Sequence, residues 1–136
     1  MMRSRLDAEL EILNQSYIGV IHIDRQGEDW FLIPDYQFPE GWEIGGKDIG
    51  MAQIAFMLAA NYPQGQPYAF LAPNGLTFNG NPPNNTAEAS PPFDGKWLQF
   101  SWSPEDGDWK PLPDVSKGSN LKTWADSFRK RLAEGV

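Results

Sequence analysis

The 136-residue chain is long enough for one domain of ordinary size and too short for two. Hydrophobic residues make up 40% of it and charged residues 21%, which supports a packed core and argues against global disorder. A net charge of -7 disfavours nucleic acid as a partner, and the absence of cysteine excludes disulfides, zinc-thiolate sites, iron–sulfur clusters and a cysteine nucleophile. The single histidine, His22, removes multi-histidine metal sites and leaves a Ser-His-Asp triad one base to draw on. No cofactor is expected. The longest apolar run, Ile54 to Ala60, is far short of the roughly 20 residues that span a bilayer. Met1 to Leu10 carries Arg3, Arg5, Asp7 and Glu9 without the apolar stretch of a signal peptide. These features predict a cytoplasmic protein with no membrane partner.

In chain order, Arg3 to Gln15 reads as a helix. Ser4 followed by Asp7 resembles a capping box, and Leu6, Leu10 and Leu13 fall on one stripe with Glu9 and Glu11 mostly outside it. Tyr17 to Asp24 is rich in β-branched residues and predicts a strand. Arg25 to Glu28 predicts a hairpin turn with Gly27 available for positive φ, and Asp29 to Ile33 the returning strand. Pro34 limits ladder pairing and points to an edge or a strand end. Pro34 to Trp42 is a rigid aromatic–proline segment. Ile49 to Ala60 is open: its Ala, Met and Leu content favours a helix, while its length and its stop at Asn61-Tyr62-Pro63 suit a buried strand equally.

Tyr62 to Pro92 concentrates proline and asparagine, and predicts a short strand at Tyr68 to Leu71 and otherwise a long ordered loop. Lys96 to Trp102 alternates like a strand, and Glu105 to Asp108 is an acidic turn. Asn120 caps a final helix, Leu121 to Ala133, with Leu121, Trp124, Ala125, Phe128 and Leu132 on its apolar face. Lys130 and Arg131 suit the negative end of its dipole. A run of strands between two helices implies a single α+β domain over residues 1–136 with an antiparallel sheet.

Four segments stand out in order: Leu32 to Trp42 (LIPDYQFPEGW), Tyr62 to Pro67 (YPQGQP), Trp97 to Ser101 (WLQFS) and Trp109-Lys110-Pro111. Together they resemble the ubiquitin-conjugating (E2/UBC) superfamily, and within it the bacterial group called prokaryotic E2 family E. Tyr62 to Pro67 is similar to the YPxxPP segment after the third E2 strand, and Trp109 to Pro111 to the motif before the helix that follows the E2 active-site segment. The resemblance implies a UBC-like fold: an N-terminal helix, an antiparallel meander of about four strands, a long Pro/Asn-rich loop and a C-terminal helix. It makes Ile49 to Ala60 the third strand, and gives Tyr62, Pro63, Pro67, Trp109, Lys110 and Pro111 scaffold roles. The partners it implies are a ubiquitin-like protein and an E1-like adenylating enzyme, in systems that also contain a JAB-type metalloprotease.

The departure from that family is the missing cysteine, which in an E2 holds ubiquitin as a thioester. Counting forward from Gly95-Lys96 places its position near Leu98; counting back from Trp109 places it at Ser101. Ser101 is the only hydroxyl near the spot, and an alkoxide needs strong activation. E2 enzymes stabilise the oxyanion with an asparagine in an HPN segment. No such triplet occurs here; Asn79 and Asn81 fall near the matching place, and equally read as turn residues. His22 is the candidate base, and equally a strand histidine with a local hydrogen bond. Asp94, Glu105, Asp106 and Asp108 read as a solvated turn, as a surface for a basic partner, or as an acid that deprotonates an incoming lysine.

Tyr36, Phe38 and Trp42 are candidate partner-binding residues, because aromatics in excess of core need mark interfaces. The expected function is non-covalent binding of a ubiquitin-like protein or an E1-like partner. The alternatives are an atypical conjugating enzyme with Ser101 as acyl acceptor, and an unrelated α+β interaction domain.

Overall fold

A computed structural model describes residues 2–58, 60–105 and 107–136, with the side chains of Met2 and Arg3 left out. α1 (Met2–Ser16) buries Leu6 and Leu13 and packs Leu10 beside the core. Ser4 lies inside the helix and does not cap it. Glu9 is fully buried rather than outside the stripe. It stands three residues after Leu6 and four before Leu13, and the second helix covers that flank as well, so the buried arc is wider than the leucines alone define.

β1 (Ile21–Arg25) begins four residues later than predicted. Tyr17 N still donates to Leu13 O (2.8 Å), and Gly19 turns the chain at φ +83°, so residues 17–20 leave the helix rather than enter the sheet. The hairpin turn holds Gln26 at φ +54° and Gly27 at φ +83°, the two positive φ values that match the twist of the flanking strands. β2 (Glu28–Gln37) runs straight through Pro34 and lies between β1 and β5 (Met51–Leu58). Pro34 therefore marks neither an edge nor a strand end. The register with β5 shifts between Ile33 and Tyr36, and the imide sits in that irregularity, where no ladder N–H is needed.

The open segment is a strand. Ile54, Ala55, Phe56 and Leu58 are buried on both faces of the sheet, and this two-sided burial is why it reads as a continuous apolar run. β3 (Trp42–Ile44), β4 (Lys47–Asp48) and β7 (Leu76–Phe78) form a small sheet of order β4-β3-β7. β6 (Phe70–Pro73), β8 (Thr86–Ala89) and β9 (Trp97–Phe100) complete a six-stranded antiparallel sheet of order β1-β2-β5-β6-β9-β8. The strands exceed four, and the Pro/Asn-rich stretch holds β6, β7 and β8 rather than one strand and a loop. Strands of three or four residues between asparagine–glycine turns are too short to show alternation.

α2 (Leu121–Glu134) opens on a reciprocal cap: Asn120 Oδ1 accepts from Thr123 N (3.0 Å) and Thr123 Oγ1 accepts from Asn120 N (2.9 Å). All five residues of its predicted apolar face are buried. Together with Leu6 and Leu13 they cover Phe31, Phe56, Phe70 and Phe100 on one side of the main sheet. The opposite side carries a smaller cluster of Leu32, Ala55, Leu71 and Trp97. Among the described residues no helix is long and apolar enough to cross a membrane.

Three phenols tie the helices to the rest. Tyr36 Oη donates to Ala125 O, Tyr17 Oη to Asp126, and Tyr62 Oη to Glu9. Burial pushes Tyr36 up to about 12 and raises Tyr17 and Tyr62 further, with the Asp126 and Glu9 carboxylates adding to burial there. A raised folded-state value means that the stabilisation is complete below the ordinary phenol value of about 10 and is lost as pH climbs through the folded value. The urea midpoint is therefore expected to fall steeply above about pH 10. Tyrosinate absorbance should rise together with loss of the far-ultraviolet dichroism; phenols that ionised well before unfolding would contradict their burial.

Candidate functional site

β9 sets the centre of the site. Leu98 pairs with Ala72 inside the ladder and packs on the core, so it offers no reactive atom. Ser101 is the first residue past the strand and is exposed. Its N–H donates to Asn85 O (3.0 Å), and its Oγ accepts from Tyr68 Oη (3.0 Å). Tyr68 is exposed and precedes Ala69, which holds φ +70° and donates its N–H to Trp102 O (2.7 Å). Among the described residues no carboxylate or imidazole hydrogen-bonds Ser101 Oγ. The side-chain partner of Ser101 Oγ is a hydroxyl, neither a carboxylate nor an imidazole.

His22 lies on β1, at the far edge of the sheet and four strands from β9. At about 4.8 Å per strand that is roughly 19 Å, far beyond proton transfer. Its Nε2 pairs with Asp29 Oδ1 (2.8 Å) and its ring stacks on Phe31 (4.7 Å), so the partners of this strand histidine are local. Asn79 and Asn81 belong to a tight turn at the end of β7. Asn79 holds φ +49° and Gly80 φ +83°, while Phe78 and Asn81 exchange backbone hydrogen bonds of 2.7 and 3.0 Å. Gly80 N donates to Glu43 Oε1 (2.8 Å) on the small sheet. Neither asparagine hydrogen-bonds Ser101; the asparagine that does is Asn85, through its backbone carbonyl.

Tyr36, Phe38 and Trp42 are all buried, which corrects their reading as partner contacts. The segment carrying them passes beneath α2: Tyr36 reaches Ala125 O, and Trp42 Nε1 donates to Leu132 O (2.9 Å). Those aromatics are core because α2 packs over them. An exposed apolar group occurs instead on β1, at Ile21, which is 46% exposed and pairs with Leu32. Ile23, Trp30 and Met57 face the same side by register and are half-buried, Trp30 packing against the smaller cluster.

Two motifs far apart in the chain meet. Trp109 Nε1 donates to Pro63 O (2.8 Å), and its ring lies 5.8 Å from that of Tyr62. The Tyr62–Pro63 peptide is cis, and Tyr62, Pro63 and Pro67 are buried. Lys110 exchanges hydrogen bonds with Ser119, donating its N–H to Oγ (2.8 Å) and accepting from N (2.9 Å), and Pro111 bridges to Gly118. Among the acidic candidates, Asp94 O accepts from Trp97 Nε1 (3.1 Å), and Glu105 and Asp108 close a turn (2.9 Å). Asp106 lies outside the described residues.

The helical pattern gave no sign of the carboxylate cluster. Glu9 Oε1 accepts from Tyr62 Oη and from Leu121 N (2.8 Å), the first amide of α2, and Oε2 accepts from Arg5 Nε (2.8 Å). A carboxylate at a helix N-terminus meets unsatisfied N–H groups and the positive end of the dipole. Comparison with protein-family models, curated proteins and solved structures finds no match to this chain.

Proposed function

We propose that the chain is a cysteine-less E2-like domain that binds a ubiquitin-like protein or an E1-like partner without a covalent bond. The observation that carries this reading is the state of Ser101: exposed at the position the family resemblance marks, hydrogen-bonded by a phenol, and remote from the only imidazole. Acyl transfer to that oxygen would need a base to take its proton, and among the described residues no carboxylate or imidazole hydrogen-bonds it. The packing of Trp109 on Tyr62 and Pro63 supports the E2-like assignment, because it gives the two resembling motifs one shared structural use. The docking surface in this reading is the outward face around Ile21, Ile23, Trp30 and Met57, an apolar patch on an otherwise acidic chain.

The test is recovery of tagged protein from its host with and without ATP, read by mass spectrometry. The expected result is a ubiquitin-like protein or an E1-like enzyme, with no mass added to this chain. Capture should survive Ser101→Ala and be lost in Ile21→Glu, a change at an exposed position that leaves the fold intact. An adduct mapping to Ser101 would make the protein a conjugating enzyme, and recovery of neither partner would remove the reading.

A further inference from the structure

Asparagine is followed by glycine twice in the chain, at Asn74-Gly75 and Asn79-Gly80. A glycine at the second place leaves its backbone nitrogen unscreened by a side chain and free to turn toward the asparagine amide carbon Cγ. Both asparagines are exposed, and an added Cβ at either glycine would meet nothing within 4 Å, so access does not separate the two pairs. Hydrogen bonding does. The Asn79–Gly80 peptide is held at both ends: Gly80 N donates to Glu43 Oε1 (2.8 Å), and Asn79 O accepts from Asn81 Nδ2 (3.4 Å). Asn74 and Gly75 are the two-residue link between β6 and β7, with Gly75 at φ +93°. There Gly75 N donates to Asn74 Oδ1 (3.0 Å), the oxygen on the very carbon that a nucleophilic nitrogen would attack. Asn74 is kept in place by its own N–H, which donates to Lys96 O (3.0 Å).

We infer that Asn74 is a site of self-modification, closing onto Gly75 N and hydrolysing to aspartate and isoaspartate, while the fold protects Asn79. In the first step Gly75 N gives its proton to solvent hydroxide and bonds to Asn74 Cγ. The Cγ–Nδ2 bond breaks, and the amide nitrogen takes a proton from water and leaves as ammonia. Water then opens the cyclic imide at either carbonyl. One opening restores the ordinary backbone and leaves a side-chain carboxylate; the other routes the chain through the side-chain carbon and adds a methylene to the backbone. Bringing the reacting groups together is a large part of such a barrier, and at Asn74 they are already in contact. At Asn79 the amide N–H must first leave a carboxylate, and such charge-assisted hydrogen bonds are the strong ones. β6 belongs to the six-stranded sheet and β7 to the small one, so the new charge, and in isoaspartate the longer backbone, enter the connection between the two sheets.

The full chain is incubated folded, in buffer near neutral pH at physiological temperature, and again in guanidinium chloride. Conversion at each asparagine is followed by peptide mass spectrometry, with isoaspartate told from aspartate by fragmentation. In the folded chain Asn74 should convert at least about tenfold faster than Asn79. The two rates should converge in denaturant, where Glu43 no longer holds Gly80 N. Glu43→Ala, checked by circular dichroism, should speed conversion at Asn79 and leave Asn74 unchanged. Asn74→Gln, whose side chain would have to close a larger ring, should stop conversion at that position. Equal rates in the folded chain, or faster loss at Asn79, would overturn the assignment. So would an Asn74 that converts at least about tenfold more slowly folded than unfolded, because its contact with Gly75 N would then be a lock rather than an approach. An unchanged Asn79 rate in a folded Glu43→Ala protein would overturn the account of protection; if that variant does not fold, the comparison of folded with unfolded wild-type chain decides alone.

Discussion

Replacing Glu9 with alanine is expected to destabilise the fold by about 3–5 kcal/mol, the range found when one partner of a buried charged cluster is removed. The carboxylate is fully buried and takes hydrogen bonds from Arg5 Nε, Tyr62 Oη and Leu121 N. Its loss strands a guanidinium, a phenol and a helix-terminal amide at once. Arg5 has little to fall back on: Nη1 already donates to Leu112 O (2.6 Å), and Nη2 is buried without a partner. Each stranded buried group carries its own desolvation penalty. A domain of ordinary stability, about 5–15 kcal/mol, would lose a large share of it, and the thermal midpoint should drop by more than about 10 °C. Glu9→Gln retains an acceptor and the side-chain shape, so it should cost roughly half as much, the guanidinium remaining unneutralised. Thermal and urea unfolding of the three proteins decide it. A loss below about 1 kcal/mol for Glu9→Ala would mean that the carboxylate behaves as a surface partner of Arg5.

The same residue shows where sequence reading stops. The leucines of α1 define a stripe, and a carboxylate beside the stripe is ordinarily solvated; only the arrival of α2 and Tyr62 from far along the chain makes Glu9 internal. Local chemistry was readable at several turns and caps where one segment held both partners, although Ser4 does not cap α1. Gln26-Gly27 makes the hairpin turn, Asn120 caps α2, and the five apolar residues of α2 are buried. It failed where a neighbour decides. Pro34 reads as an edge because an isolated strand has no bulge to hold it, and the bulge exists only against β5. β7 and β8 are three and four residues long, and each is stabilised by a partner strand rather than by its own pattern.

Of the candidate site, Ser101 is on the surface, but the residues meant to serve it are not brought to it. His22 is held on β1 by Asp29 and Phe31, and the two asparagines are consumed by a turn. Tyr68, which does meet Ser101, stands 33 positions upstream, on the far side of a strand pairing that no periodicity announces.

Replacing Trp42 with alanine should likewise destabilise the isolated chain by about 3–5 kcal/mol, the usual result of emptying a buried aromatic site. The indole is fully buried, donates to Leu132 O, and makes edge contacts with Phe38 (5.9 Å), Phe78 (5.4 Å) and Phe100 (6.1 Å). The surroundings have little freedom to close the gap. Phe78 is confined by Gly41 and Gly135, where an added Cβ would stand 2.5 and 2.7 Å from its ring. With β3 and the end of α2 fixed in this way, most of the cavity should persist, and cavity volume adds to the lost transfer energy. Trp42→Phe keeps most of the apolar bulk and removes one buried hydrogen bond, so about 1–3 kcal/mol is expected. The pair separates two roles for this aromatic segment. A partner-contact residue would leave the stability of the isolated chain unchanged on truncation and abolish capture of the partner. A core residue lowers stability with no partner present, and Trp42→Phe, still folded at low temperature, should retain capture through the outward face around Ile21.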